Sequence, residues 1–447
     1  MTVQNPRLKF GLPELVADQS LYALMLTSTV LFWAAGLLTL VQAAVIVTLA
    51  YARAPVGFLA RLVAISWISI GLFQFTASVL AGVWREEPVT GVAQLFGFGV
   101  FGWIMGGLAI WAGAAHGLSS RLIIRSVALL GAIIIPLALI GALGVALGLP
   151  HLYSGYTIPM LIAPHSPAAL LYGSAAIYIS EETLGELKTR LVLFYPYTTA
   201  LGLGGIGITM ISLLEKDWRL RLMGMAGGIV GVVFSWSRLA LGAMLLCALG
   251  WIWLKVSLPL RLLFITLALV ALFFISVADV DWINFLLSIQ DRVDGVRAGS
   301  SLARHLIYEK SFEGFLQSPI FGYGWIGPSV HPKEILPIGS HSTVYGLLYT
   351  GGIMAFGAFV VAISITVIAS LIRLNSEKGE RRDEAIVLLL LSLTLLFFCK
   401  YESLFSITLP CSYIFAFIGG ALEPHDHRPD TDIAFTSSSM PRRYHGS

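Results

Sequence analysis

Arg238, Arg304 and His341 are the residues of this chain whose types could do chemistry together. A guanidinium is always charged, and its planar fork of donors matches the oxygens of a phosphate or diphosphate. An imidazole is the side chain most easily poised to take a proton near neutral pH. Two fixed cations and one base can hold an anionic leaving group while a hydroxyl is activated. Plainer readings stand beside these. Arg238 closes the run Ser235-Trp236-Ser237-Arg238 between two apolar stretches. There an arginine can snorkel to headgroups, and unpaired it costs about 2.5–3.5 kcal/mol. A histidine at a membrane edge can simply be a structural hydrogen bonder.

The elements that must position these groups are apolar helices. Of 447 residues, 57% are apolar and 12% charged, against about 25% charged in a soluble domain. A water-soluble globule is excluded, and a net charge of +3 does not suggest nucleic acid. Apolar runs at 22–50, 62–83, 91–114, 122–148, 195–214, 219–235, 238–255, 260–278, 342–371, 385–400 and 403–422 predict an all-α polytopic membrane protein. That is about eleven transmembrane helices, within ten to twelve, in one domain over residues 1–422. Residues 423–447 are expected to be a disordered cytoplasmic tail. Residues 1–20 are polar and lead into an apolar run too long for a signal peptide. Cys247, Cys399 and Cys411 all fall in apolar runs, so no disulfide framework or zinc site is expected.

Charge sorts the connections. Arg53 and Arg61, Arg121 and Arg125, Lys216 with Arg219 and Arg221, Lys255 and Arg261, and the stretch 373–382 fall in alternate ones. The positive-inside rule makes these cytoplasmic. Outside are then the turn at 84–88, the segment 149–194, the turn at 235–238, the loop 279–341 and the turn at 400–402. Strict counting puts the N-terminus outside; a hidden span before residue 50 would put it inside. Arg238, Arg304 and His341 share the outer face by this sorting, which favours the chemical reading.

The loop 279–341 is the longest polar interruption late in the chain. Residues 301–317 predict an amphipathic helix able to lie on the membrane surface. Leu302, Leu306, Phe312, Phe315 and Leu316 form its apolar stripe. Ser318 and Pro319 end it, and the glycine-rich run 321–328 makes tight turns. Other candidates are weaker. Asp279 and Asp281 have a spacing that can hold a divalent ion, but read better as a solvated helix end. His305 and His331 read as loop residues or as replacements for His341 as the base, and His151 and His165 sit in the proline-rich segment 149–168, which lines or caps a cavity. Lys400 and Glu402 flank Tyr401; either touches a ligand or they pair with each other at the surface. Tyr323, Trp325, Tyr345 and Tyr349 suit sugar stacking or an interfacial aromatic belt. Gly102 with Gly106, and Gly227 with Gly231, are four apart and predict close helix packing. No internal repeat is seen, hence no sign of the inverted halves of many transporters.

The order of these features is a span ending in Ser237-Arg238, a long loop with Arg304 in an amphipathic helix, then Pro319, Gly322 and Gly324. His341 and a span containing Gly351 and Gly352 complete it. This resembles the O-antigen ligase and polymerase superfamily of bacterial envelope glycan assembly, best over residues 195–370. Two positions depart: Ser342 follows the histidine in place of asparagine, and Leu239 follows Arg238 in place of glycine. The resemblance implies a GT-C-like inner-membrane glycosyltransferase with its active site facing the periplasm. Its donor would be a glycan on undecaprenyl diphosphate, transferred with inversion and with no metal or cofactor. Arg238 and Arg304 would bind and stabilise the diphosphate, and His341 would be the base. Tyr345, Lys400 and Glu402 complete the expected substrate-binding set. The acceptor is a growing repeat-unit chain for a polymerase, or lipid A-core for a ligase, and a polysaccharide flippase and a chain-length regulator are the expected partners. A reading from another class is a lipid-linked sugar transporter that uses the arginines only for binding.

Overall fold

The computed structural model describes residues 12–51, 55–84, 102–149, 152–154, 157–162, 173–183, 186–277, 298–330 and 336–423. Apolar runs become helices because every backbone polar group is then satisfied within its own segment. They are α1 (Leu12–Thr27), α2 (Thr29–Ala34), α3 (Leu38–Tyr51), α4 (Phe58–Trp84), α5 (Met105–His116) and α6 (Arg121–Ala146). A short α7 (Ile158–Ile162) precedes α8 (Thr198–Ser212), α9 (Trp218–Phe234), α10 (Arg238–Lys255) and α11 (Leu258–Val277). The loop helix is α12 (Ala298–Gln317), followed by α13 (Thr343–Ser376), α14 (Glu380–Phe398) and α15 (Ser412–Leu422). Among the described residues, four helices are long and apolar enough to cross a membrane: Phe58–Ala81, Arg121–Ala146, Arg238–Lys255 and Thr343–Ser376. Shorter apolar helices accompany them, as suits a multi-pass membrane protein.

The structure corrects several expectations. The run 22–50 is three helices, because the chain turns at Gly36, whose φ of 74° suits glycine. Of the run 91–114, the described part is helical, with α5 from Met105, and residues 91–101 lie outside the described ones. The run 403–422 opens with a single turn, Leu404–Ser406, and is α-helical only from Ser412. The fold is not purely helical. Within 149–194 lie β1 (Leu152–Ser154), β2 (Ala175–Thr183) and β3 (Glu186–Leu191), an antiparallel sheet in the order β1-β2-β3. Its β2, Ala-Ala-Ile-Tyr-Ile-Ser-Glu-Glu-Thr, is rich in strand-favouring types. Asp279, Asp281, His151, His165, His331 and the tail beyond Glu423 lie outside the described residues.

Glycine sets the closest crossings, as small residues do in lipid. A Cβ on Gly113 would lie 1.9 Å from the Ala416 carbonyl oxygen, and one on Gly227 would lie 1.7 Å from that of Gly131. Gly102 and Gly106 lie against Phe405 and Thr408, and Gly231 lies against Leu201. Trp67, Trp103, Phe359 and Phe415 fill the centre, and the Trp67 indole donates to Thr366 at 2.9 Å.

Contacts fix two ends. At one, the Gly57 N–H donates to the Glu423 carboxylate at 2.9 Å, and Arg373 donates to the Glu423 carbonyl at 3.2 Å. There too Lys216 meets Glu380 and Lys255 meets Asp383. The basic connections that charge sorting grouped do gather here. Helix α10 runs antiparallel to α14, with Lys255 at Asp383 and Cys247 at Thr394. Arg238 therefore lies toward the other end, where α14 finishes.

Candidate functional site

The site is built at that other end from α10, α12, the start of α13 and the turn after α14. Ser237 caps α10, its Oγ accepting from the Ala240 N–H at 3.2 Å, so Arg238 is the first helical residue. The corner packs on Gly202 of α8. The start of α8 is tied in turn to the turn after α14, because the Tyr197 hydroxyl lies 2.5 Å from the Ser406 hydroxyl. Arg238 thus shares an end with residues 399–406.

Arg304 reaches across 98 positions to Glu402, Nη2 to Oε1 at 2.9 Å. The Glu402 side chain is 4% exposed and that of Arg304 30%. A buried carboxylate needs a partner, and its partner here is not Lys400. Glu402 is therefore neither a surface residue nor paired with its neighbour, contrary to one of the two sequence readings. Lys400 is exposed, its ammonium 5.2 Å from the Tyr401 ring centre. The turn at 399–404 also carries α13: the Thr343 hydroxyl donates to the Glu402 carbonyl at 2.7 Å and accepts from the Leu404 N–H at 2.9 Å.

His341 sits one residue before the cap of α13, at a φ of 57°. Burial first, and then the Arg304 guanidinium, push its imidazole down to about 4. It is neutral at pH 7 and able to accept a proton. Ser342 is the cap itself, accepting from the Tyr345 N–H at 3.3 Å. Serine and asparagine cap helices equally well, so Ser342 in place of asparagine keeps the cap.

Helix α12 packs along the first turns of α13. Tyr308 stacks on Tyr345, with centroids 4.7 Å apart and planes at 12°. Gly314 lies against the Tyr349 ring. The buried face is Ala303, Ile307, Ser311 and Gly314. Of the expected apolar stripe, Leu302, Phe312 and Leu316 are exposed, while Leu306 and Phe315 are half-buried. Helix α13 then breaks at Gly352, at φ 60° and ψ −162°, a conformation open only to glycine. The break frees two carbonyls and two N–H groups, and the loop 319–324 takes all four. Tyr323 and Gly324 donate to the Tyr349 and Thr350 carbonyls, both at 2.8 Å. Ile353 donates to Pro319 at 2.8 Å and Met354 to Ile320 at 3.4 Å. Gln74 of α4, 1% exposed, locks the joint by donating to Gly324 at 3.1 Å and Thr350 at 3.3 Å. Tyr323 stacks on Tyr349 at 4.7 Å.

The structure thus joins Arg304, His341, Tyr345 and Glu402 in one cluster, with Arg238 and Lys400 at the same end. His305 is exposed on α12. Sequence reasoning missed Tyr308, Ser311 and Gln74. A lone amide inside an apolar run was the available signal for Gln74; Tyr308 and Ser311 gave none.

No curated protein matches the chain. Residues 223–360, which hold Arg238, Arg304, His341 and the broken helix, match the family model described as O-antigen ligase. The chain thus carries an O-antigen ligase family domain over residues 223–360.

Proposed function

We propose that this chain is a membrane glycosyltransferase of the polymerase type. It transfers a glycan from undecaprenyl diphosphate to the hydroxyl of another repeat unit at the outer face of a bacterial inner membrane, with inversion and no metal. The observation that carries this is the Arg304–Glu402 pair set beside His341, with Arg304 and His341 inside the matched residues 223–360. Glu402 engages one nitrogen of a guanidinium that carries five N–H donors. The remaining donors suit diphosphate oxygens, with Arg238 as the second cation and Tyr345 and Lys400 beside the glycan. The acceptor oxygen attacks the anomeric carbon as the bond to the diphosphate breaks. Negative charge grows on the leaving group, where fixed cations stabilise the transition state more than the ground state. The hydroxyl proton passes to the neutral His341 imidazole. A bound diphosphate offsets the Arg304 charge there and raises the imidazole's affinity for that proton. A flippase that delivers the donor and a chain-length regulator are the partners this chemistry calls for.

The test is transfer by purified protein from a lipid-linked oligosaccharide, with EDTA present, comparing wild type with His341→Ala. Longer lipid-linked chains from wild type and none from the variant are expected. Product on a second carrier such as lipid A-core would make the protein a ligase. Donor moved between leaflets with no covalent product from either would make it a transporter.

A further inference from the structure

Arg304 is not the only residue by which α12 touches the His341 turn. Arg304, Tyr308 and Ser311 fall at i, i+4 and i+7, one stripe of the helix. Each reaches a different partner. Arg304 meets Glu402. The Tyr308 hydroxyl donates to the His341 carbonyl at 3.1 Å. The Ser311 Oγ accepts from the Gly339 N–H at 2.9 Å. Two of the three bonds grip the backbone of residues 339–341.

That backbone needs a grip. A non-glycine residue in the left-handed region is strained, and it persists only where its surroundings over-determine it. His341 is such a residue. Tyr308 is well placed to hold it, because its ring is itself fixed by the stack on Tyr345 in the first turn of α13. Burial raises the phenol above its ordinary range, which keeps the hydroxyl a neutral donor.

We propose that Tyr308 is a positioning residue for the transfer reaction: its hydroxyl holds the left-handed backbone that aims the His341 imidazole, on the same helix that presents Arg304. The proposal rests on His341 being the base. Tyr308 acts through His341 and needs no contact with substrate.

Tyr308→Phe keeps the ring and its stack and removes only the hydroxyl. A base moved by a fraction of an ångström slows chemistry without weakening binding, so kcat falls about tenfold and KM for the lipid-linked donor stays within about twofold. The acid limb of the pH profile moves up toward the ordinary imidazole range as the turn loosens. A second readout does not need turnover: diethylpyrocarbonate modification of each histidine, followed by mass spectrometry on the full-length protein. The rate at His341, referred to exposed His305, rises several-fold in Tyr308→Phe. Wild-type kcat with an unchanged His341 rate overturns the proposal. So does lost activity with both the His341 rate and the acid limb unchanged, which would give Tyr308 a role of its own. Full transfer by His341→Ala removes the base reading instead; the labelling rates then still decide whether Tyr308 holds the turn.

Discussion

Arg304 meets Glu402 at one end of the helical bundle, and Lys216 meets Glu380 at the other, each at 2.9 Å. The lengths are equal; the surroundings are not. The Glu402 side chain is 4% exposed and that of Glu380 is 81% exposed. An exposed pair is solvated whether or not it forms, so it contributes little. A buried carboxylate has lost its water and depends on its partner. The same contrast runs through the backbone. At the Lys216 end the Asp217 side chain caps α9 in the open, accepting from the Arg219 N–H at 3.0 Å. At the Arg304 end the chain holds a left-handed histidine and a helix broken at Gly352. Such strain persists only where surrounding bonds impose it, and it gathers where geometry matters to function.

The sharpest way to break this comparison is Arg304→Ala. Transfer falls by about 10²–10³-fold, the usual effect of removing one donor to a developing oxyanion. Arg304→Lys falls between, because it keeps the charge and loses the fork. Arg304→Ala also removes one partner of the buried Glu402, at up to about 3 kcal/mol, the low end for a broken buried pair, because the arginine was itself part-exposed. Adding Glu402→Gln to Arg304→Ala restores the melting temperature and leaves transfer lost. Recovery of activity in that double variant would sink the diphosphate clamp.

Gly352→Ala comes next. Its backbone is closed to alanine, and a Cβ there would lie 2.3 Å from the Ile320 carbonyl oxygen. The strain alone costs about 1–3 kcal/mol, and the four bonds that mend the break are lost with it. Thermal melting in detergent should show a much lower transition. A wild-type melting curve would mean the break is incidental.

The parts of the site legible in the sequence were those that announce themselves by residue type. Arg238 and His341 are rare polar groups at the edges of apolar runs, Arg304 stands in an amphipathic stretch of the polar loop, and the runs themselves mark the helices. Partnership was not legible. Glu402 is 98 positions from Arg304, and its nearest charge in the sequence, Lys400, invited the wrong pairing. Tyr308 gave no signal in the sequence, and only the fold shows its hydroxyl on the carbonyl of left-handed His341. The packing face of α12 was not legible because Ala303, Ser311 and Gly314 carry little hydrophobicity. Small residues are what let α12 approach α13, so the larger Leu302, Phe312 and Leu316 face outward. The strands escaped because β2 lies within a segment read only for its prolines and histidines.

A third outcome follows from the imidazole. Its value of about 4 lies below the ordinary 6.5. The folded protein keeps His341 neutral between these values, while the unfolded chain takes up a proton there. Stability from this group is present above 6.5 and is lost as the pH falls toward 4. Activity should likewise persist below pH 6.5, with its acid limb nearer 4. His341→Gln should flatten the stability slope in that window. A limb at 6.5 in the wild type would place the imidazole in water and undo the burial that sets it apart.

The smallest effect belongs to the solvated end. In Lys216→Ala, Glu380 loses its partner but keeps its water, so there is no desolvated charge to strand. Melting temperature and transfer rate should both match wild type at moderate salt, and adding salt to the wild type should change neither. The control matters because Lys216–Glu380 and Arg304–Glu402 are alike in length and sign, and only burial separates them. If Lys216→Ala lowered transfer as Arg304→Ala does, charge at either end would matter to turnover, and the division of the molecule into a solvated end and a working end would fail.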